Sequence, residues 1–567
     1  MKKLFLTLVC ALAIMSLAAC AKKETTQSTG DEVTLTGTGK GFGGPVTVSV
    51  TKKGDKITSV VAVGEKETSG IGSKAIEELP AKIVEANSPD VDVVSGATVT
   101  SNAIIYAVKN ALDPAANPAP TEETTAETEP AEVTATNVYQ GLGISYIART
   151  GPGEDDKAVP VYSINQVFAT ALFDGDGKIL DLNVDILEIA TPNYDGDGMP
   201  HFSGFPGQGG YNNDENHDAV VDGTTPDTDE NFLAEIDGWV TKRDRGDAYR
   251  MTTGTWASQM DKFEQVFIGK TVDEVKEWFE KYTSDVNGRP LKEDSDKEGD
   301  PEKYAALTDD EKTMLADVVS GATMSLNDSH GNIMEAIQKA YDNRVGLDIT
   351  EAASQGFGLA TIGRVGPGED DKGVPVYSIN EVAANTLFDK DGKIVALYVD
   401  ILELATPNYD GDGMPHFSGF PGQPGYNIDD NHDGAVDGVT TNTEESFAAE
   451  VASWATKRDR GESYRMNTGT WASQMDAYQN IFIGKTVEEV EAWFAKYTSD
   501  VNGRLLKADS DKPEDVAKYD ALTDDEKTML TDVVTSASMS LKDPHGDIIG
   551  AIKESFDNRV AIDLTIQ

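Results

Sequence analysis

Apolar and polar residues alternate near the start of the chain in the way typical of short, half-buried strands. This alternation predicts strands over residues 46–51 and 57–63. Apolar residues then recur at helical spacing over residues 73–86 and again over residues 102–112. Strands followed by helices indicate a small α+β domain, which we place at residues 33–112.

The remainder of the chain is one long unit written twice. The block N-Y-D-G-D-G-M-P-H-F-S-G-F-P-G-Q begins at Asn193 and returns at Asn408, 215 positions later, and other motifs keep the same offset without a gap. Two copies of this size indicate a duplication, because solenoids use shorter and more numerous repeats. We therefore predict two tandem domains, over residues 137–350 and 352–567.

A shorter pattern is common to the small domain and both long repeats. In each, a turn leads into a strand, a Glu and a Thr follow, and the motif D-V-V-[ST]-[GS]-A-[TS] precedes a predicted helix. The motif occupies residues 92–98, 317–323 and 532–538. We therefore expect the same α+β core three times, enlarged by an insertion in each long repeat.

Composition restricts the partners of this chain. Among its 567 residues, 48 Lys and Arg face 98 Asp and Glu, so the formal net charge is -50. This charge repels nucleic acid and anionic lipid headgroups, and it excludes both as ligands bound through charge. Residues 21–32 and the Pro-, Glu- and Thr-rich residues 113–136 are predicted to be a tether and a disordered linker.

The N-terminus predicts export and lipid anchoring. A basic start, a short apolar run and the ending L-A-A-C mark residues 1–20 as a signal peptide that is too short to span a membrane. The ending resembles a bacterial lipobox, which implies that Cys20 becomes the lipidated N-terminus on the extracytoplasmic face of the cell membrane. An ordinary signal peptide with an incidental cysteine is the alternative. Both cysteines lie within the first twenty residues, so the mature chain has no disulfide and no Cys-ligated iron–sulfur cluster.

The repeated motif resembles that of the FMN-binding domain family. This family occurs in flavin subunits of sodium-pumping NADH:quinone reductases and Rnf complexes, and in lipoproteins of extracellular electron transfer. Its members receive FMN from an FMN transferase as a phosphoester on the last Thr of D-x-x-S-G-A-T. The resemblance implies covalent FMN on Thr98 and Thr323, with Ser538 as a third acceptor. Glu67 and Thr68 match the family's E-T-x-G-x-G loop beside the flavin.

The other motif positions are expected to surround the flavin phosphate: Ser95, Gly96, Ala97, Ser320, Gly321, Ala322, Thr535, Ser536 and Ala537. Three aspartates are expected to orient the loop or the metal used during transfer: Asp92, Asp317 and Asp532. Gly-Ala permits close approach, and the N-terminus of the next helix favours the phosphate charge. The expected helix caps are Thr100, Ser101, Ser325 and Ser540. Ser536, which replaces Gly, is expected to add bulk. The alternative is a simple turn before a capped helix.

The acidic insertions contain half of a calcium-loop pattern. Oxygen ligands stand at alternate positions in both copies: Asp214, Asn216, Asp218, Asp429, Asn431, Asp433 and Asp437. The twelfth position, where a calcium loop carries Glu, holds Thr in each copy. Calcium binding is one interpretation, and a polar surface loop with Asx turns is the other.

Together these features predict a lipid-anchored, extracytoplasmic protein with three FMN-binding domains on flexible linkers. It would accept electrons from a membrane donor of the quinol or NADH dehydrogenase type, as a carrier more than a turnover enzyme. Two alternatives remain: a flavin-dependent reductase with a substrate pocket in the long repeats, and a calcium-stabilised surface binding protein without redox function. Trp256, Trp278 and their copies are expected to pack in the core or the insertion, and stacking of one of them on a flavin is the alternative.

Overall fold

The chain divides into two compact units, within residues 1–128 and 129–567. The computed structural model describes residues 32–40, 45–54, 56–64, 72–89, 91, 93–94, 98–114, 116–117, 133–135, 137–194, 196, 198–251, 253–409, 411, 413–466 and 468–566. In this part of the chain no helix combines the length and apolar character needed to cross a membrane. The signal peptide and Cys20 lie outside the described residues.

The small unit contains three strands and two helices: β1 (Glu32–Lys40), β2 (Pro45–Lys53), β3 (Lys56–Val63), α1 (Gly72–Ala86) and α2 (Thr98–Leu112). The strands form an antiparallel sheet in the order β1-β2-β3. Val46, Val48 and Val50 alternate with polar residues and are buried beneath the helices. Both predicted strands and both predicted helices are confirmed, although α2 begins at Thr98 and not at residue 102. Ser101 therefore lies inside the helix and does not cap it.

The first long repeat comprises β4 (Val133–Ala135), β5 (Val138–Glu154), β6 (Pro160–Asp174), β7 (Ile179–Ala190), β8 (Asn212–Asn213), β9 (Gly223–Thr224), α3 (Asp229–Asp237), β10 (Arg250–Met251), β11 (Gly254–Thr255), α4 (Trp256–Phe267), α5 (Val272–Tyr282), α6 (Asp300–Ala305), α7 (Asp309–Gly321), β12 (Asn327–Asp328), β13 (Gly331–Asn332), α8 (Ile333–Asp342) and β14 (Val345–Gly346).

The second comprises β15 (Glu351–Glu369), β16 (Pro375–Phe388), β17 (Ile394–Ala405), β18 (Asn427–Ile428), β19 (Gly438–Val439), α9 (Glu444–Ser453), β20 (Arg465–Met466), β21 (Gly469–Thr470), α10 (Trp471–Phe482), α11 (Val487–Tyr497), α12 (Pro513–Asp520), α13 (Asp524–Ser536), β22 (Lys542–Asp543), β23 (Gly546–Asp547), α14 (Ile548–Asp557) and β24 (Val560–Ile566). This mixture of helices and sheets agrees with the predicted α+β class.

Each long repeat has a main antiparallel sheet, in the orders β14-β5-β6-β7 and β17-β16-β15-β24-β4. In the second sheet β4 pairs with β24 in parallel, Val133 opposite Leu564. The last residues of the predicted linker are therefore not disordered, because they add an edge strand to the long-repeat unit.

A glycine pair on the first strand reveals the core that all three copies share. A Cβ built at Gly37, Gly141 or Gly356 would stand 2.0, 2.0 or 1.7 Å from a backbone carbonyl oxygen of α2, α8 or α14. Only glycine permits a helix backbone to approach a strand this closely. In each copy the helix thus crosses the first of three consecutive antiparallel strands, in agreement with the shared core that the repeated sequence pattern predicts.

The two long repeats share a hydrophobic core. Phe202 and Phe417, from the repeated M-P-H-F block, lie 6.1 Å apart between ring centroids, and Phe168 contacts Phe357 at 5.2 Å. Helix α3 packs on β15 of the other repeat, and α9 packs on β5. The two predicted tandem domains therefore form one compact unit, in which each repeat packs a helix on a strand of the other.

Candidate functional site

Thr323, the motif Thr of the first long repeat, stands just beyond the end of α7. Its backbone N–H donates to Gln259 Oε1 at 2.8 Å, and its Oγ1 lies 3.5 Å from the same oxygen. Thr253 Oγ1 is also 3.5 Å from Thr323 Oγ1. The acceptor hydroxyl is thus half-buried and held in place by an amide side chain.

That amide belongs to the W-x-x-Q sequence at the start of α4. Thr255 caps this helix by accepting a hydrogen bond from Ser258 N–H. Trp256 and Gln259 are three residues apart, so both point from one face of the helix. Gln259 is fully buried, and its Nε2 has no hydrogen-bond partner within the described part of the chain. A buried donor without a partner is the signature of a group that awaits a ligand or water.

A cavity of about 350 Å³ opens beside Thr323. Its lining combines aromatic, apolar, cationic and hydroxyl groups: Ile186, Lys242, Tyr249, Met251, Trp256, Arg289, Thr323, Met324, Ser325, Asp328, His330, Gly331 and Ile333. Trp256 is therefore a wall of this cavity, whereas Trp278 packs among Phe263, Phe267 and Phe279 in the core as expected.

The second repeat has a matching cavity of about 370 Å³ beside Ser538. Its lining is Ile401, Lys457, Tyr464, Met466, Trp471, Arg504, Ser538, Met539, Ser540, Asp543, His545, Gly546 and Ile548. Position by position the two linings differ only where Thr323 is replaced by Ser538. Ser538 N–H donates to Gln474 Oε1 at 2.8 Å, as its counterpart does.

The lysine that lines each cavity belongs to a buried ion pair. Lys242 Nζ lies 2.8 Å from Glu188 Oε2, both side chains are only 3% exposed, and Arg149 approaches Glu188 Oε1 at 3.6 Å. Although burial alone would raise it, Lys242 lowers the pKa of Glu188 below its usual value, so this carboxylate is ionised. Lys457 and Glu403 repeat the pair at 2.9 Å.

A histidine–aspartate pair lies at another part of the lining. His330 Nδ1 is 3.0 Å from Asp328 Oδ1, and His545 lies 3.0 Å from Asp543 in the second copy. Burial favours a higher pKa for Asp328, but hydrogen bonds from His330 outweigh it and lower that pKa. The Arg289 guanidinium also lines the cavity and forms no hydrogen bond or ion pair among the residues described.

In the long repeats the motif ends a helix and does not begin one. The D-V-V-S-G residues form the last turns of α7, and α8 starts only at Ile333, capped by Asn332. The expected cap Ser325 instead donates its hydroxyl to Asn287 O at 2.6 Å, and Ser540 does the same to Asn502 O. The prediction of an acceptor at a helix N-terminus is therefore wrong for both long repeats.

The remaining motif side chains serve the helix ends. Ser320 Oγ donates to Asp317 O, and the exposed Asp317 carboxylate pairs with Lys262 at 2.8 Å. In the second copy the corresponding hydroxyl donates to Asp532 O. The Asp317 carboxylate therefore pairs with a lysine, and the role expected for the Asp532 carboxylate stays a prediction. The buried Ala322 and Ala537 close the ends of α7 and α13.

The small unit presents its motif differently. Asp92, residues 95–97, Glu67 and Thr68 lie outside the described residues, so their expected roles stay predictions. Helix α2 begins at Thr98 itself, and Ser101 Oγ accepts a hydrogen bond from Val94 N–H at 3.0 Å. Here the motif does lead directly into a helix, as predicted.

The acidic insertions form closed Asx turns. Asp214 accepts hydrogen bonds from the N–H groups of Asp218 and Ala219, and Asp429 does the same in the second copy. Asp218 Oδ1 accepts from Val220 N–H. Within the described ranges no group of three or more His, Cys, Asp or Glu is placed to hold a metal ion. This geometry favours the polar-loop interpretation, and calcium binding stays a prediction.

The residues around Thr323 fit a flavin phosphoester. The cavity has the size of a small-ligand site, and Trp256, Tyr249 and Ile333 offer surfaces suited to a flat aromatic ring. Arg289 and Lys242 supply cations for a phosphate. The arrangement, present twice, suits a flat, anionic cofactor beside a hydroxyl.

Comparison with known proteins relates part of the chain to a known family. Residues 41–113, in the small unit, match the FMN-binding domain family. Chlorophenol reductase of Desulfitobacterium hafniense is 36% identical to this chain over 222 residues, which cover 37% of this chain and 59% of that protein. Urocanate reductase of Eggerthella lenta is 37% identical over 105 residues, which cover 18% of this chain and 17% of that protein.

NADH:acrylate oxidoreductase of Vibrio harveyi is 41% identical over 75 residues, 13% of this chain and 8% of that enzyme. The chain therefore spans about three fifths of chlorophenol reductase and much smaller parts of the other two relatives. The match to the FMN-binding domain family thus lies in the small unit, and the relatives of the chain include a chlorophenol reductase and a urocanate reductase. The family predicted from the D-x-x-S-G-A-T motif is confirmed.

Sequence reasoning missed most of the cavity wall. Lys242, Tyr249, Arg289 and His330 stand outside every motif that pointed to FMN. One signal was available, because all four residues recur unchanged at the repeat offset.

Proposed function

We propose that the chain carries FMN as phosphoesters on Thr323, Ser538 and Thr98, and transfers electrons on the extracytoplasmic side of the cell membrane. The observation that carries this proposal is the pair of matching cavities, each with the motif hydroxyl on its wall. A turn without a cofactor would need neither the cavity nor the unpartnered buried amide of Gln259.

The protein's own groups position the cofactor. Gln259 fixes the acceptor backbone and hydroxyl, Arg289 and His330 offer donors to the phosphodiester, and Trp256 and Tyr249 present apolar surface to the ring. When bound, the flavin supplies the electron and hydride chemistry, and the protein supplies placement and electrostatics.

Attachment requires an FMN transferase acting on an activated flavin phosphate. The bond between Oγ and phosphorus forms, the phosphoanhydride bond of the donor breaks, and the hydroxyl proton leaves to a base. Thr323 Oγ1 and Ser538 Oγ are only half-buried, which leaves a path for the transferase. We further propose that lipid on Cys20 holds the chain at the membrane, where a quinol- or NADH dehydrogenase-type donor supplies electrons.

A second candidate function is that of an extracytoplasmic reductase. It is favoured by the 36% identity to chlorophenol reductase over 222 residues and by the polar groups that converge beside each acceptor. A carrier exchanges electrons with protein partners only, whereas a reductase oxidises its flavins in repeated turnover with a small organic acceptor. Multiple turnover with such an acceptor would favour the reductase.

Intact mass of the mature chain, co-expressed with an FMN transferase, tests flavin attachment. We expect three increments, each of one FMN less one water, and the loss of one increment in Thr323→Ala, Ser538→Ala and Thr98→Ala. Thr253→Ala is the matched control, because its hydroxyl lies 3.5 Å from Thr323 Oγ1 but is not the motif residue. Thr323→Ser should keep its flavin. Wild-type protein without any increment, or loss of flavin only in Thr253→Ala, would refute the proposal.

A further inference from the structure

Lys242 occupies an unusual place for a lysine. Its backbone N–H donates to Ile186 O on β7 at 2.8 Å, and its side chain is buried on the cavity wall. The ammonium lies 6.0 Å from the ring centroids of both Tyr249 and Trp256. Lys457 repeats this position in the second cavity, again buried.

The charges around this lysine do not cancel. Glu188 is its partner at 2.8 Å, but Arg149 lies 3.6 Å from the same carboxylate, so two cations share one anion. Arg149 lies on β5 and Glu188 on β7, behind Lys242, which follows α3 and is the one of the three that lines the cavity. The lining adds the Arg289 guanidinium and the Asp328 carboxylate, so three cations stand against two anions, in surroundings that screen them less than water does.

We propose that Lys242 and Lys457 set the midpoint potentials of the two long-repeat flavins by stabilising the negative charge that reduction brings. This inference rests on the proposed function, since it needs a flavin in each cavity. Reduction by two electrons and one proton adds one negative charge to the ring. The lysine ammonium balances that charge without giving up a proton. A fixed cation near the ring favours the reduced form and raises the potential.

A purely structural role explains the position poorly. A buried ion pair is often no more stable than apolar residues of the same volume, so packing alone does not call for lysine and glutamate here. Both repeats nevertheless keep the pair. Elsewhere in the unit a buried carboxyl group of one repeat corresponds to an amide of the other, as Glu264 does to Gln479.

The test uses the double variant Thr98→Ala/Ser538→Ala as its background, so that Thr323 is the one acceptor left. Intact mass first verifies that this background carries one flavin. Spectroelectrochemical titration at fixed pH then compares Lys242→Met, Glu188→Gln and the double variant. We expect Lys242→Met to shift the oxidised-to-reduced equilibrium at least tenfold toward oxidised flavin, about 30 mV for a two-electron couple. Glu188→Gln should shift it the opposite way, and the double variant should return toward the starting value.

Lys262→Met is the control, because that lysine pairs with the exposed Asp317 and does not line the cavity. If Lys242→Met does not fold, the double variant is compared with Glu188→Gln, from which it differs only in the lysine. Equal potentials in that pair, or shifts of the same sign in both single variants, would overturn the inference. Absence of flavin in the mass spectrum would instead refute the proposed function, so the two failures are distinguishable.

Discussion

The two long repeats agree at the cavity and differ at two buried carboxyl groups elsewhere, whereas others, such as Asp185 and Asp400, match. Thr323 against Ser538 is the single exchange among the cavity-lining residues, and it retains the hydroxyl. Between the repeats, by contrast, Glu381 of the second repeat takes the place of Gln166 in the first. Glu264 in α4 corresponds to Gln479 in α10. All four are hydrogen-bond acceptors or donors of nearly the same shape.

These exchanges between carboxyl group and amide indicate which buried groups act through their charge. Glu264 Oε1 and Gln479 Oε1 accept the same two hydrogen bonds, from a strand N–H and from an arginine. An amide can replace a carboxyl group where only an acceptor is needed. At the cavity wall the lysine and glutamate are kept in both copies, in agreement with a use for the charge itself.

The largest expected effect concerns Glu381, at the junction of the repeats. Its carboxyl group is fully enclosed and receives one hydrogen bond, from Gln166 Nε2 at 2.7 Å. Burial without a nearby cation raises the pKa of Glu381 to about 8. Since the folded state holds this proton more tightly, unfolding releases it, and stability falls as pH rises from about 4.5 to about 8. Glu381→Gln should remove that slope and raise the free energy of unfolding at pH 9 by roughly 4 kcal/mol.

Denaturant unfolding at several pH values measures this, with Trp239 and Trp454 of the shared core as fluorescent reporters. Gln166→Glu is the matched opposite change, because it places a second carboxyl group against the first and should destabilise the fold most at alkaline pH. An unchanged pH slope in Glu381→Gln would show that Glu381 is ionised in the folded protein.

A second, intermediate effect tests whether both acceptors depend on their glutamines equally. Gln259→Leu removes the acceptor for Thr323 N–H at 2.8 Å, and Gln474→Leu does so for Ser538. Losing a buried hydrogen bond costs about 1–3 kcal/mol, so flavin attachment at the altered site should slow by roughly tenfold or more. Time-resolved intact mass follows each site in a chain that lacks the other two acceptors. Slowing at the unaltered site would contradict a local positioning role.

The sequence pattern predicted two of the three strands and both helices of the small unit because these elements are regular, but it missed β1. Val46, Val48 and Val50 alternate as a half-buried strand must, and the G-x-G pairs recur in all three cores. The pattern failed at residues 317–323, which were expected to lead directly into a helix and proved to be the end of α7. Capping by Thr308 and packing of Leu315 and Val318 decide that helix, and a short motif does not contain those contacts.

The cavity could not be predicted from local sequence patterns for a related reason. Its wall is assembled from β7, the segment after α3, α4, the turn after α5 and the β12–β13 hairpin, which are distant along the chain. The joining of both repeats through Phe202, Phe417 and their neighbours was likewise hidden, because an apolar residue does not indicate which repeat it will contact.

The smallest expected effect concerns Ser536, the position where the second motif departs from glycine. A Cβ built on the corresponding Gly321 would lie 3.6 Å from Lys262 Cγ, an ordinary contact, and residue 477 of the second repeat is an alanine with less bulk. Ser536 is exposed, and its Oγ donates to Val533 O at 3.2 Å, within its own helix. Ser536→Gly should therefore change flavin attachment at Ser538 by less than about twofold, in keeping with surface substitutions that cost under about 0.5 kcal/mol. Ser538→Thr, which copies the first repeat, should also attach flavin. A large gain on Ser536→Gly, measured by intact mass at early times, would mean that the transferase approaches the acceptor across the helix end.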